Sequence, residues 1–130
     1  LSAWVKINII EVKEESFTDK DIADKIKEKE AEKIKKILPK GSFLVILDKT
    51  GKQFDSLSLA QQLHNLSMFA PNNMTIVIGG PLGIDEQLKQ QADFVLSLSK
   101  LTFTHQMSRI ILLEQIYRVF TIINNKKYHY

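Results

Sequence analysis

Glycine-rich turns and the polar ends of apolar runs carry most of the chemistry legible in this chain. Gly79-Gly80-Pro81-Leu82-Gly83 follows directly on Met74-Thr75-Ile76-Val77-Ile78. Glycines there let backbone N–H and C=O groups approach a flat ligand without a Cβ in the way, and Pro81 stiffens the turn. The same loop reads equally well as a structural turn. It is neither GxGxxG nor a phosphate-gripping loop, because no Gly-Lys-Ser/Thr follows, and this argues against NAD and ATP. Two other apolar runs end in polar segments, at Leu47-Asp48 and at Leu98 with Ser99 to Phe103. Arg109 lies one turn beyond His105, near a helix start, where the macrodipole disfavours a cation. A phosphate or carboxylate would compensate for that placement. Arg118 follows Glu114 by one helical turn and reads as an intrahelical ion pair. His64 has no partner at metal-ligand spacing, and the chain contains no cysteine. No metal centre, disulfide scaffold or cysteine nucleophile is therefore expected.

These residues need a scaffold, and the hydrophobic pattern supplies one. Trp4 to Val12 alternates and reads as a strand, with Val5, Ile7 and Ile9 on one face. Thr18 and Asp21 form a capping pair ahead of a helix carrying Ile22, Ile26, Ile34 and Ile37, which Pro39-Lys40-Gly41 ends. The interleaved Lys and Glu of that helix read as a solvated face. Phe43-Leu44-Val45-Ile46-Leu47, Met74 to Ile78 and Phe94 to Leu98 are continuous apolar runs of strand length, the signature of parallel strands covered on both faces. Asp48 to Gly51 reads as a turn. Ser56 or Ser58 opens a helix with Leu59, Leu63, Leu66 and Phe69; a short helix spans about Asp85 to Ala92, and a long one about Gln106 to Ile123. Alternating strands and helices imply an α/β fold, with helices on both faces of a mostly parallel sheet, in a single domain over residues 1–130. In such sheets ligands bind beyond the carboxyl ends of the strands, where the three polar segments fall. The last helix is apolar on nearly every face, which implies burial on its own sheet and again against a second subunit.

Composition narrows the function. Of 130 residues, 44% are hydrophobic and 25% charged, which excludes wholesale disorder and collagen-like structure. No apolar run approaches the roughly 18 residues of a membrane span, and no signal-peptide pattern follows Leu1, so a soluble, cytoplasmic protein is expected. The net charge is +3 but unevenly placed. Residues 11–40 hold nine acidic and nine basic side chains, whereas from Phe94 onward Lys100, Arg109, Arg118, Lys126 and Lys127 face Glu114 alone. A basic C-terminal third suits an anionic partner such as nucleic acid; it also serves simple solubility.

Several of these segments recur together in a known family. Val77 to Gly83, then Leu96-Ser97-Leu98-Ser99-Lys100-Leu101-Thr102-Phe103-Thr104-His105-Gln106-Met107, Arg109, Leu113-Glu114-Gln115-Ile116-Tyr117-Arg118 and the terminal Tyr128-His129 resemble the ribosomal large-subunit methyltransferase H family. This is the small branch of the SPOUT superfamily, and the resemblance spans essentially the whole chain. It implies a homodimeric enzyme with a C-terminal trefoil knot that uses S-adenosylmethionine to methylate N3 of a pseudouridine in 23S rRNA on the assembled 70S ribosome. The family opens with a further strand and helix ahead of the segment matching Leu1, so the resemblance implies that both are missing here. By resemblance the cofactor is held by Leu47, Gly79, Leu98, Ser99, Lys100, Leu101, Thr102 and Phe103. His105, Arg109, Tyr128 and His129 are the candidate catalytic residues: Arg109 for RNA phosphate or charge developing on the base, Tyr128 or His129 for the departing proton. A catalytically silent RNA- or nucleotide-binding module on the same fold is the alternative, and a dimerisation domain resting on the last helix is a third reading.

Overall fold

The computed structural model describes residues 6–12, 19–67, 73–79 and 83–123. In order, these form β1 (Lys6–Glu11), α1 (Lys20–Ile37), β2 (Phe43–Lys52), α2 (Ser56–Ser67), β3 (Asn73–Ile78), α3 (Glu86–Gln91), β4 (Phe94–Leu96) and α4 (His105–Ile123). The strands make one four-stranded sheet in the order β1-β3-β2-β4, and every pairing is parallel. Val45 lies opposite Ile76 on one side and Phe94 on the other.

The period-two alternation of β2 and β3 explains the continuous apolar runs. Phe43, Val45, Leu47, Ile76 and Ile78 pack on one face with Leu59 and Ala60 of α2 and Leu112 and Val119 of α4. Leu44, Ile46 and Val77 pack on the other with Ala31 and Ile34 of α1 and Leu88 of α3. Both faces being covered, neither side of these strands needs a polar residue. Thr75 is the exception, fully buried, and its hydroxyl is 2.7 Å from that of Ser42.

Local chemistry sets the element ends, in places differently from the sequence expectation. α1 is capped by Asp19, not by the expected Thr18–Asp21 pair: its carboxylate accepts from Ile22 N–H at 3.0 Å. Thr18 lies outside the described residues. Asp19→Ala should cost about 1 kcal/mol of stability, read as a lower denaturation midpoint with unchanged slope. Leu38 N–H closes the last turn of α1 on Ile34, and Gly41, at φ +73, reverses the chain into β2.

β2 resumes after the expected turn and runs on to Lys52: Leu47 and Lys52 both pair with Leu96, so residues 48–51 bulge out between them within the strand. Gly51 permits it, since a Cβ there would lie 2.7 Å from the Val95 carbonyl oxygen. β4 is shorter than the apolar run suggests. It ends at Leu96: Ser97 N–H still bonds Lys52 O of β2, but the Ser97 hydroxyl donates to Ser99 O, which turns the chain out of the sheet. At its start, Asp93 clasps Leu44 twice, by carboxylate and by N–H. α4 begins one residue earlier than expected, because the Thr104 hydroxyl accepts from Met107 N–H. Trp4, Val5, Gly80, Pro81, Leu82, Tyr128 and His129 lie outside the described residues.

Candidate functional site

The carboxyl ends of β2 and β3, and the segment that leaves β4, meet around one cavity of about 270 Å³. Parallel strands make this geometry: all the carboxyl ends lie at one edge of the sheet, and the loops that leave them enclose a crevice. Gly79 N–H donates to Leu47 O at 3.1 Å, tying the first residue after β3 to the last apolar residue of β2. A Cβ on Gly79 would come within 3.0 Å of Ile84 Cγ1 and 3.2 Å of Leu47 O, so bare backbone forms this part of the wall. The loop after β4 is held open by its own serines, with Ser97 Oγ bonded to Ser99 O and Leu101 N–H to Ser99 Oγ, both at 3.0 Å.

Of the expected cofactor residues, Leu47, Gly79, Leu98, Ser99, Leu101, Thr102 and Phe103 line this cavity. Lys100 is exposed on the same loop and does not line it. Leu101 stands 72% exposed at the rim, an apolar side chain that a flat ligand would cover. His105 opens α4 two residues after Phe103 and is half-buried.

Arg109 forms an ion pair with the carboxylate of Glu11, at the end of β1. The compensation its position requires is thus provided within the chain. Arg118 pairs with Glu114 along α4, as the spacing indicates. The positive charge of α4 is therefore largely offset, and its exposed face is apolar instead: Met107, Ile110, Leu113 and Tyr117 recur at helical spacing and are each about half exposed or more. His64 is half-buried.

Polar residues complete the lining, and of these the sequence singles out only Asp48, at a strand end. Asp48 Oδ2 accepts from Thr50 N–H at 3.1 Å and from the Thr50 hydroxyl, and it lies 3.8 Å from Lys89 Nζ. Lys89 also meets Glu86 at 2.8 Å and Thr50 Oγ1 at 3.4 Å. The Asp-x-Thr pattern is a local signal for part of this cluster. Lys89 carries none, because only the β3–α3–β4 crossover brings it to the end of β2. With apolar walls, exposed backbone and one charged corner, the cavity suits a small, flat, partly charged molecule. Among the described residues, no group of His, Asp or Glu could hold a metal ion, and no helix is long and apolar enough to cross a membrane.

Comparison with known proteins gives concordant matches. The family described as predicted SPOUT methyltransferase matches residues 1–129. The ribosomal RNA large subunit methyltransferase H of Halothermothrix orenii is 42% identical over 132 residues, covering 99% of this chain and 83% of the relative. The protein of the same name from Acetivibrio thermocellus is 46% identical over the same span and shares. That of Pseudothermotoga lettingae is 45% identical over 131 residues, covering 100% of this chain and 84% of the relative.

Proposed function

This chain belongs to the SPOUT methyltransferase family, among the ribosomal RNA large subunit methyltransferase H proteins, and we propose that it methylates N3 of a pseudouridine in 23S rRNA. The methyl donor in this reading is S-adenosylmethionine, the substrate the assembled 70S ribosome, and the C-terminal region a trefoil knot. One observation carries the reading: seven of the eight residues assigned to the donor by family resemblance converge on one cavity at the strand ends. The residues present fit that donor. Leu47, Leu98, Leu101 and Phe103 offer apolar surface for a purine, the Gly79 backbone allows close approach, and Ser99 and Thr102 supply hydroxyls.

Bound S-adenosylmethionine supplies a methyl group already activated by a positively charged sulfur. The chain's own task is to fix geometry and manage a proton. The loop from Leu98 to Phe103, pinned by Ser97 and Ser99, would hold the donor and fix its position for the approach of a ring nitrogen. That nitrogen must lose its proton, for which His105, Tyr128 and His129 are the candidate acceptors. Arg109 exchanges Glu11 for an RNA phosphate, or for charge developing on the base.

A homodimer through α4 belongs to the same reading, and the exposed stripe of Met107, Ile110, Leu113 and Tyr117 supports it. Ile110→Asp should raise the dimer dissociation constant at least about tenfold, a difference of about 1.4 kcal/mol, with little change in melting temperature because Ile110 is 62% exposed. Sedimentation equilibrium checks it. The donor assignment is tested by calorimetric titration of the full-length protein with S-adenosylmethionine. Saturable binding is expected; its absence would contradict the enzyme reading.

A further inference from the structure

The cavity wall facing the Leu98–Phe103 loop holds two opposite charges that are both largely shielded from solvent. The Asp48 side chain is 7% exposed and that of Lys89 14%. They are not locked together: their closest atoms are 3.8 Å apart, beyond hydrogen-bonding distance. Asp48 is instead held from behind, its Oδ2 accepting both the N–H and the hydroxyl of Thr50. Among the described residues none donates to its Oδ1. The flank of that atom is left open by Gly83, at φ +86, whose added Cβ would still stand 3.9 Å away. Lys89 is steadied by Glu86, a carboxylate 77% exposed, so that partner is readily exchanged for another. Lys27 and Lys49 also reach this cavity, but Lys27 lies 3.6 Å from Asp24 and Lys49 is exposed.

A shielded acceptor beside a shielded cation is satisfied by a group carrying both charges. A lone anion would face Asp48, and a lone cation would face Lys89, each at low local dielectric where like charges cost most. We propose that Asp48 and Lys89 form the subsite for a zwitterionic α-amino acid group, Asp48 accepting from its ammonium and Lys89 pairing with its carboxylate. This rests on the reading of the cavity as the donor pocket, and it assigns to these two residues the amino-acid end of S-adenosylmethionine. They are then specificity-determining residues that separate this ligand from simpler adenine thioethers.

The test compares S-adenosylhomocysteine with 5′-methylthioadenosine, which carries the same adenosine thioether without the amino acid. Both are titrated calorimetrically into the full-length protein and into Asp48→Asn and Lys89→Gln. The expected result is that the unsubstituted protein prefers S-adenosylhomocysteine by about tenfold or more, and that each substitution removes about tenfold of that preference. Affinity for 5′-methylthioadenosine stays within about twofold, which also reports that the cavity is intact. Equal weakening of both ligands, or no change with either, overturns the proposal. Where Asp48→Asn disturbs the Thr50 clasp, Lys89→Gln decides, since Lys89 sits at the end of α3 and clasps no backbone. If the unsubstituted protein binds neither ligand, the donor pocket itself is wrong and this assignment falls with it; if it binds both equally, the pocket stands and only this assignment fails.

Discussion

Replacing Gly79 with valine is expected to abolish donor binding, raising the dissociation constant at least about a hundredfold, while the protein stays folded. A Cβ at this position would press on Ile84 Cγ1 at 3.0 Å and on Leu47 O at 3.2 Å. Ile84 can yield, being a side chain; the Leu47 carbonyl cannot yield without moving the end of β2, to which Gly79 N–H is bonded. Overpacking of this kind costs about 1–3 kcal/mol, or a melting point lower by about 3–10 °C. The two branches of valine beyond the Cβ then fill the space that the backbone leaves for a ligand. Gly79→Ala should fall between, with a weaker loss of affinity. Calorimetric titration beside thermal melting separates the two effects, and retained affinity in the valine variant would refute the assigned pocket.

The second large effect is expected at Gly51 and falls on stability. Here the nearest atoms to an added Cβ are all backbone: Val95 O at 2.7 Å, Val95 C and Leu96 C at 2.8 Å. No rotamer change relieves such a contact, so Gly51→Ala must push β4 away from β2. A cost of about 3 kcal/mol is expected, or a melting temperature lower by about 10 °C. Because β4 runs directly into the Ser97–Phe103 loop, donor affinity should fall as well. A melting temperature within a degree or two of the parent protein would contradict the close approach of the two strands.

The contrast between these two glycines shows how far sequence reasoning reaches. Gly79 sits in a glycine run directly after a buried strand, a local pattern with a local meaning. Gly51 reads as part of an ordinary turn, because the reason for it lies in Val95 and Leu96 on another strand. The same division runs through the rest of the molecule. Leu44 to Leu47 and Thr75 to Ile78 are legible as buried parallel strands, since a short, unbroken apolar run between turn residues fits a strand covered on both faces. The strand order β1-β3-β2-β4 is not legible, and it decides which side chains meet. Arg109 is legible as a cation in need of an anion, but only the fold brings Glu11 from the far end of the chain to meet it. The shift from Thr18 and Asp21 to Asp19 as helix cap is a smaller matter, where neighbouring residues with the same chemistry compete. Ser97 ends β4 early through a hydroxyl-to-backbone bond, whereas the apolar residue after it suggests that the strand continues.

These differences bear on the site more than on the core. Burial is a property of one residue and its periodicity, so the core is readable. The charged corner of Asp48, Thr50, Glu86 and Lys89 is a property of residues from separate elements: the Asp-x-Thr pattern announces one half of it, and no local pattern joins that half to Lys89. The exposed stripe on α4 lies between these cases: the helix is recognisably too apolar for one packed face, and the structure identifies which residues remain uncovered.

The most direct test of the function is transfer of labelled methyl from S-adenosylmethionine to 70S ribosomes that lack the modification, with the product mapped by nuclease digestion and mass spectrometry. Incorporation approaching one methyl per ribosome is expected, on N3 of a pseudouridine in 23S rRNA, and none with the Gly79→Val protein. A protein that binds the donor saturably yet leaves these ribosomes unlabelled would contradict the enzyme reading and establish the silent binding module instead.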